Sequence, residues 1–232
     1  MDGMHVKLIK AIKEGNKTTV KLLLDSGDVC ACGCGADPND ANEDGETPLM
    51  IAAAEGHEQI VKLLLDSGAD INKVTNGGFT PLTWAAAKKN DKTVKLLLDS
   101  GADPNKVQEN GLTPLYIAAF YGYDQIVKLL LDFGADINKT NKYGKTPLYI
   151  AAFYGYDQIV KLLLDATYND IADKVLVAVS QQDIIFDTAF IIFKKTVENT
   201  ITFEGFNMDD DSDTHKKLYN VFQVKFSKYT KK

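Results

Sequence analysis

Leu115–Asp132 reads LYIAAFYGYDQIVKLLLD, and Leu148–Asp165 repeats it letter for letter, 33 residues further along. An identical block at a fixed period marks a repeat architecture, in which one unit cannot bury its apolar face alone and stacks on its neighbours. The same period extends outward from this pair. Thr-Pro-Leu begins at Thr47, Thr80, Thr113 and Thr146, always 33 apart. Paired alanines follow at Ala52-Ala53, Ala85-Ala86, Ala118-Ala119 and Ala151-Ala152. Leu-Leu-Leu-Asp then begins at Leu63, Leu96, Leu129 and Leu162.

One unit can be read from its parts. Threonine is a helix N-cap whose hydroxyl accepts from an orphan backbone N–H, and proline is pre-set for the first helical position. The paired alanines let a second helix approach closely. Gly56, Gly122 and Gly155 are placed to end this short helix in the left-handed conformation. A second helix is predicted from about Gln59 to Asp66 in the first complete unit. Ile60, Leu63 and Leu64 form its apolar face, widened by Val61 and Leu65, as suits a helix buried on more than one side. Gly68 closes it, and a polar Ala-Asp-x-Asn turn leads to the next unit.

The pattern G-x-T-P-L-x-x-A-A-x-x-G-x-x-x-I-V-x-L-L-L-x-x-G-A-D-x-N resembles the ankyrin repeat, over about Asn42 to Asp165 and more weakly to the N-terminus. The resemblance implies an all-α repeat solenoid of helix-turn-helix units with β-turn fingers, followed by a mainly helical C-terminal cap segment. The expected divisions are an N-terminal capping repeat at 1–41, repeats at 42–74, 75–107, 108–140 and 141–167, and a non-ankyrin segment at 168–232. Two departures from the family stand out. Met50, Thr83, Tyr116 and Tyr149 occupy the place of its usual histidine, which puts the local rigidity in doubt. Lys89 replaces the helix-ending glycine of the second complete unit, so Asn90 is expected to take the left-handed role and that unit to be the least regular.

The ends break the period. Leu22 starts a run 41 residues before the next, eight more than the repeat, and the excess maps to an insert at 28–35, DVCACGCG. Inserts in repeat proteins fall in loops. After Asp165 the Gly-Ala-Asp turn gives way to Ala166-Thr167-Tyr168, and a new helix is expected through Ile171, Val175, Ala178 and Val179. A second helix is expected through Ile185, Phe186, Ala189, Phe190, Phe193 and Val197, the pair capping the stack. Thr200–Phe206 alternates like a strand, and Leu218–Tyr229 fits either a helix or a strand.

Composition narrows the function. The net charge is −6 and all 26 basic residues are lysine, so no guanidinium fork exists for phosphate or guanine, and no nucleic-acid partner is expected. The N-terminal MDGMHVKLIKAIKEGNK lacks the apolar core of a signal peptide, and no stretch reaches the roughly 18 apolar residues of a membrane span. The expectation is a cytoplasmic monomer, in the source or a host cytosol, with no membrane partner. Cys30, Cys32 and Cys34 fall short of the four ligands a structural zinc takes, and at tighter spacing, so no metal is expected. Asp209, Asp211 and Asp213 mimic a calcium loop, but Thr214 stands where glycine is required and Asn220 where glutamate is. His5, His57 and His215 are scattered. No nucleophile triad, P-loop or dinucleotide fingerprint occurs, so neither catalysis nor a cofactor is expected.

The ankyrin resemblance implies binding through finger tips and the exposed face of each first helix, which line a concave groove. Carried over position by position, this face takes Glu46 and Glu55 from the first complete unit, Phe79 and Lys88 from the second, and Leu112, Phe120 and Tyr121 from the third. The fourth offers Tyr143, Lys145, Phe153 and Tyr154. The groove so read runs from acidic to aromatic. Aromatics dominate interface hot spots, so Phe120, Tyr121, Phe153 and Tyr154 are expected to anchor an apolar element of a protein partner, with Glu46 and Glu55 favouring a basic flank. The alternative is that Phe120 and Phe153 serve packing alone. A different class of function makes the C-terminal segment a small regulatory or catalytic module that the stack displays. The lysine-rich, arginine-free, recently duplicated sequence also resembles effectors of intracellular bacteria, which implies a host-directed role.

Overall fold

The computed structural model describes residues 3–29 and 35–179. Ten helices occupy them, with no strand among the described residues. They fall in two units, Met1–Ile150 and Ala151–Lys232.

In the first unit the helices come in antiparallel pairs. The capping pair is α1 (Gly3–Lys13) and α2 (Lys17–Val29). Then come α3 (Pro48–Glu55) with α4 (Glu58–Asp66), α5 (Pro81–Ala87) with α6 (Asp91–Asp99), and α7 (Pro114–Tyr121) with α8 (Asp124–Asp132). The first helices form one layer, α1 on α3 on α5 on α7, and the second helices another, α2 on α4 on α6 on α8. The alanine pairs explain the close first layer: Ala52, Ala53, Ala85, Ala86, Ala118 and Ala119 are all fully buried.

Each Thr-Pro start behaves as expected. The hydroxyls of Thr47, Thr80 and Thr113 accept from the backbone N–H of Met50, Thr83 and Tyr116 at 3.4, 3.2 and 3.1 Å. In two of these turns another side chain stands in for the missing histidine and takes up the return bond. Thr83 Oγ1 accepts from the Thr80 N–H at 2.7 Å, and Met50 Sδ accepts from the Thr47 N–H at 3.5 Å. Tyr116 works differently, its hydroxyl accepting from Asn141 Nδ2 at 3.0 Å and so tying helix α7 to the next finger.

The short helices end on left-handed Gly56, Gly122 and Gly155, as read from the sequence. The second complete unit corrects the expectation for Asn90. Lys89 itself adopts the left-handed conformation, at φ 61°, while Asn90 stays at φ −92°. The Asn90 side chain is engaged elsewhere, its amide donating to the carbonyls of Ala53 and Ala54 on the preceding repeat at 2.9 and 2.8 Å. The second helices also shift one assignment. Ile60, Val61 and Leu64 are the buried set of α4, with Leu63 only partly covered, and Ile126, Val127 and Leu130 repeat this in α8.

Fingers are joined by backbone bonds between repeats. Asn76 N–H donates to Asp44 O at 3.0 Å and Lys142 N–H to Asn110 O at 2.9 Å. Asparagines add a second ladder in the turns after the second helices: Asn39, Asn72 and Asn105 accept from the N–H of Asp70, Asp103 and Asp136 at 2.7 to 2.9 Å.

Helix α9 (Pro147–Phe153) opens the last repeat, and α10 runs from Asp157 to Val179 without a break. The helix expected to begin anew after Asp165 is thus a continuation of the repeat's own second helix. No glycine follows Asp165, so nothing places a left-handed residue where the earlier repeats stop. Within this unit Ile159, Leu163, Tyr168, Ile171 and Ala172 are buried, and Thr167 Oγ1 donates to the Leu163 carbonyl at 2.8 Å. The cysteine loop, the helix expected at 185–197, the segments 200–206 and 218–229, the acidic loop and His215 lie outside the described residues.

Candidate functional site

The finger-and-first-helix face carries two different surfaces within the first unit. At its far end stands an aromatic cluster. Helix α7 stops at Tyr121, so Phe120, Tyr121 and, past the left-handed Gly122, Tyr123 project around one helix end. Phe120 and Tyr121 meet edge to face at 5.0 Å, and Tyr121 stacks on Tyr123 at 5.6 Å. Lys89 Nζ lies 5.4 Å from the Tyr123 ring. Phe120 and Tyr121 are nonetheless 37% and 49% exposed, which is unusual for large rings held in order. The finger beyond them carries Tyr143, 72% exposed, with Lys142 Nζ 5.1 Å from its ring. Lys145 lies with its ammonium 3.7 Å from the ring of Tyr149, a cation–π contact that holds it to its own repeat. Leu112 is half-buried.

At the other end is a depression of about 200 Å³. Its apolar lining is Met50, Ile51, Ala54 and Trp84, and its charged lining is Lys13, Glu46, Glu55 and Lys88. The helix ends put the charges there. Lys13 and Glu55 are the last residues of α1 and α3, and Lys88 caps α5. Glu46 comes from the finger, its Oε2 accepting from Asn42 Nδ2 at 2.9 Å. Phe79, the finger residue of the next repeat, packs against Trp84 at 5.4 Å. The indole N–H of Trp84 is buried and has no hydrogen-bond partner among the described residues.

The structure therefore gathers Glu46, Glu55 and Lys88 at one depression and places Phe79 beside it through Trp84. Phe120 and Tyr121 lie together in a separate cluster. In the second unit, Phe153 and Tyr154 repeat the edge-to-face geometry at 5.2 Å, and Tyr154 stacks on Tyr156 at 6.0 Å. The identical sequence thus produces the same ring arrangement twice. Sequence reasoning missed Lys13, Met50, Ile51 and Trp84 as site residues. The available signal was Trp84, the sole tryptophan, standing where the neighbouring repeats have Ile51, Ile117 and Ile150. No group of three or more His, Cys, Asp or Glu among the described residues could hold a metal ion, and no described helix is long and apolar enough to cross a membrane.

A family model described as ankyrin repeats (3 copies) matches residues 8–108 and 90–174. A curated ankyrin repeat-containing protein of Treponema pallidum (strain Nichols) is 33% identical over 69 residues, which is 30% of this chain and 20% of that relative. The chain spans about a fifth of the length of the curated relative it matches.

Proposed function

The chain belongs to the ankyrin repeat family, and from that premise we propose that its first unit is a non-enzymatic scaffold that binds a protein partner on the finger-and-first-helix face. The observation that carries this reading is the cluster of Phe120, Tyr121 and Tyr123. Three rings pack in series at a helix end, Phe120 edge to face with Tyr121 and Tyr121 stacked on Tyr123, while Phe120 and Tyr121 stay substantially exposed. Rigid aromatic anchors lose little conformational freedom on binding and contribute most of the energy of many interfaces. The acidic balance and the absence of arginine support a protein rather than a nucleic acid as the ligand.

The test compares wild type with Phe120→Ala/Tyr121→Ala in capture from lysate, read by quantitative mass spectrometry. Both substituted side chains sit at the exposed end of α7, so the thermal unfolding temperature should hold within a few degrees. Proteins enriched by wild type should fall at least tenfold in the variant. Equal enrichment by the two would remove the cluster from the binding face.

A further inference from the structure

The depression and the aromatic cluster are related by the repeat itself. Position 54 of the first complete repeat corresponds to Ala87, Phe120 and Phe153 in the following ones. Where the third repeat supplies a phenyl ring, the first supplies a methyl, and Ala54 lines an open space of about 200 Å³. An apolar cavity of about 150 Å³ is large enough to take a benzene ring. We propose that this depression is the seat of one phenyl-sized side chain contributed by the protein partner. The proposal rests on the protein-binding reading above and gives that partner a specific chemistry.

The lining selects for such an occupant. Trp84 offers an aromatic neighbour and Met50 a thioether, both favourable against a ring. The charges around it balance in sign. Lys13, Glu55 and Lys88 form no ion pair among the described residues, and Glu46 accepts only from a neutral amide. A lone cation or anion in the depression would meet like charge as well as opposite charge. A neutral ring meets neither penalty, and flanking residues of both signs find counter-charges at the edge. An apolar centre inside a polar rim is the usual anatomy of a binding hot spot.

The experiment uses the full chain and three probes: N-acetyl-phenylalaninamide, N-acetyl-argininamide and N-acetyl-glutamate amide. Trp84 is the only tryptophan, so emission excited at its red edge comes from a residue that lines the depression. The phenylalanine probe should give a saturable change with half-saturation at about millimolar concentration, as expected of a small ligand. The other two should respond at least tenfold more weakly. Ala54→Phe, which installs the ring the fold already carries at Phe120, should abolish the response, and Ala54→Leu, a smaller insertion, should weaken it. Phe120→Ala/Tyr121→Ala should retain it. A response as strong to the arginine or glutamate probe overturns the proposal, as does a response that survives Ala54→Phe in a folded protein. Loss in the Phe120/Tyr121 variant with retention in Ala54→Phe would place the ring on the cluster, overturning the depression as its seat while leaving the scaffold reading intact.

Discussion

The coupling between the first two complete repeats can be tested at one side chain. Asn90 caps the start of α6 without making a side-chain bond to that helix, so its amide is committed entirely to the Ala53 and Ala54 carbonyls of the preceding repeat. Those carbonyls belong to the last turn of α3, where helical partners run out. Ala53 O also receives the Gly56 N–H at 3.3 Å, so Asn90→Ala leaves it with one bond. Ala54 O has only Asn90 among the bonds described. Losing one neutral bond costs about 1 kcal/mol, and leaving a partly covered carbonyl bare costs about the same again, giving about 2 kcal/mol. With a urea m-value of about 2 kcal/mol/M, the unfolding midpoint should fall by about 1 M. Asn90→Asp should cost at least as much, because it sets a carboxylate against two carbonyl oxygens. The assay is urea unfolding followed by circular dichroism and by Trp84 emission, the latter reporting on the repeat that Asn90 secures. A loss below about 0.5 kcal/mol for Asn90→Ala would mean that water replaces the amide at no cost, and that this staple does not couple the repeats.

Two further outcomes are expected. Gly111 and Gly68 both hold positive φ, at 77° and 86°, so alanine at either should cost about 1 to 2 kcal/mol for the left-handed backbone alone. A Cβ at Gly111 would also lie 2.9 Å from Asn141 Cα and Lys142 N, whereas one at Gly68 meets nothing within 4 Å. Gly111→Ala should therefore destabilise by at least about 1 kcal/mol more than Gly68→Ala in urea unfolding, and equal losses would show that neighbouring fingers part freely. Tyr168 titrates above its ordinary value of 10.0, first because it is buried and second because Asp165 opposes its phenolate. A raised folded pKa leaves its contribution intact below the unfolded value and withdraws it as pH rises through the folded one. Wild type should thus lose stability faster than Tyr168→Phe from about pH 10 upward, as measured by thermal unfolding across that range, and parallel curves would remove Tyr168 as the cause.

What was legible in the sequence and what was not follow from the range of the forces involved. The threonine caps, the glycine stops at Gly56 and Gly122, and the alanine-lined first layer are set within a few residues of chain, and the period displays them four times over. The failures come where a residue answers to another repeat. Asparagine tolerates the left-handed conformation better than lysine does, so local chemistry favoured Asn90 over Lys89. Lys89, however, stands at the repeat position of Gly56 and Gly122 and keeps their left-handed conformation, while two carbonyls 36 and 37 residues earlier hold the Asn90 amide. The unbroken α10 was legible in principle, since the glycine after Asp165 is plainly missing. The apolar residues farther on suggested a new helix where the chain in fact had no signal to stop.

The proposed binding face divides along the same line. Its members could be named from the period, because each finger and helix end recurs at 33 residues. Their grouping could not, because the groups form across repeats. Lys13 shares a depression with Glu55 and Lys88 only because the capping repeat stacks in register despite its eight extra residues. That stacking gives the acidic end of the face two ammoniums as well, so charge alone does not select what binds there. The two surfaces differ in the residues that end the first helix, Ala54 and Glu55 in one repeat against Phe120 and Tyr121 in the other. Phenylalanine at 120 builds an outward cluster, and alanine at 54 leaves a hollow beside Trp84. Alanine stands at this position in the first two complete repeats and phenylalanine in the last two, so one scaffold carries two kinds of surface.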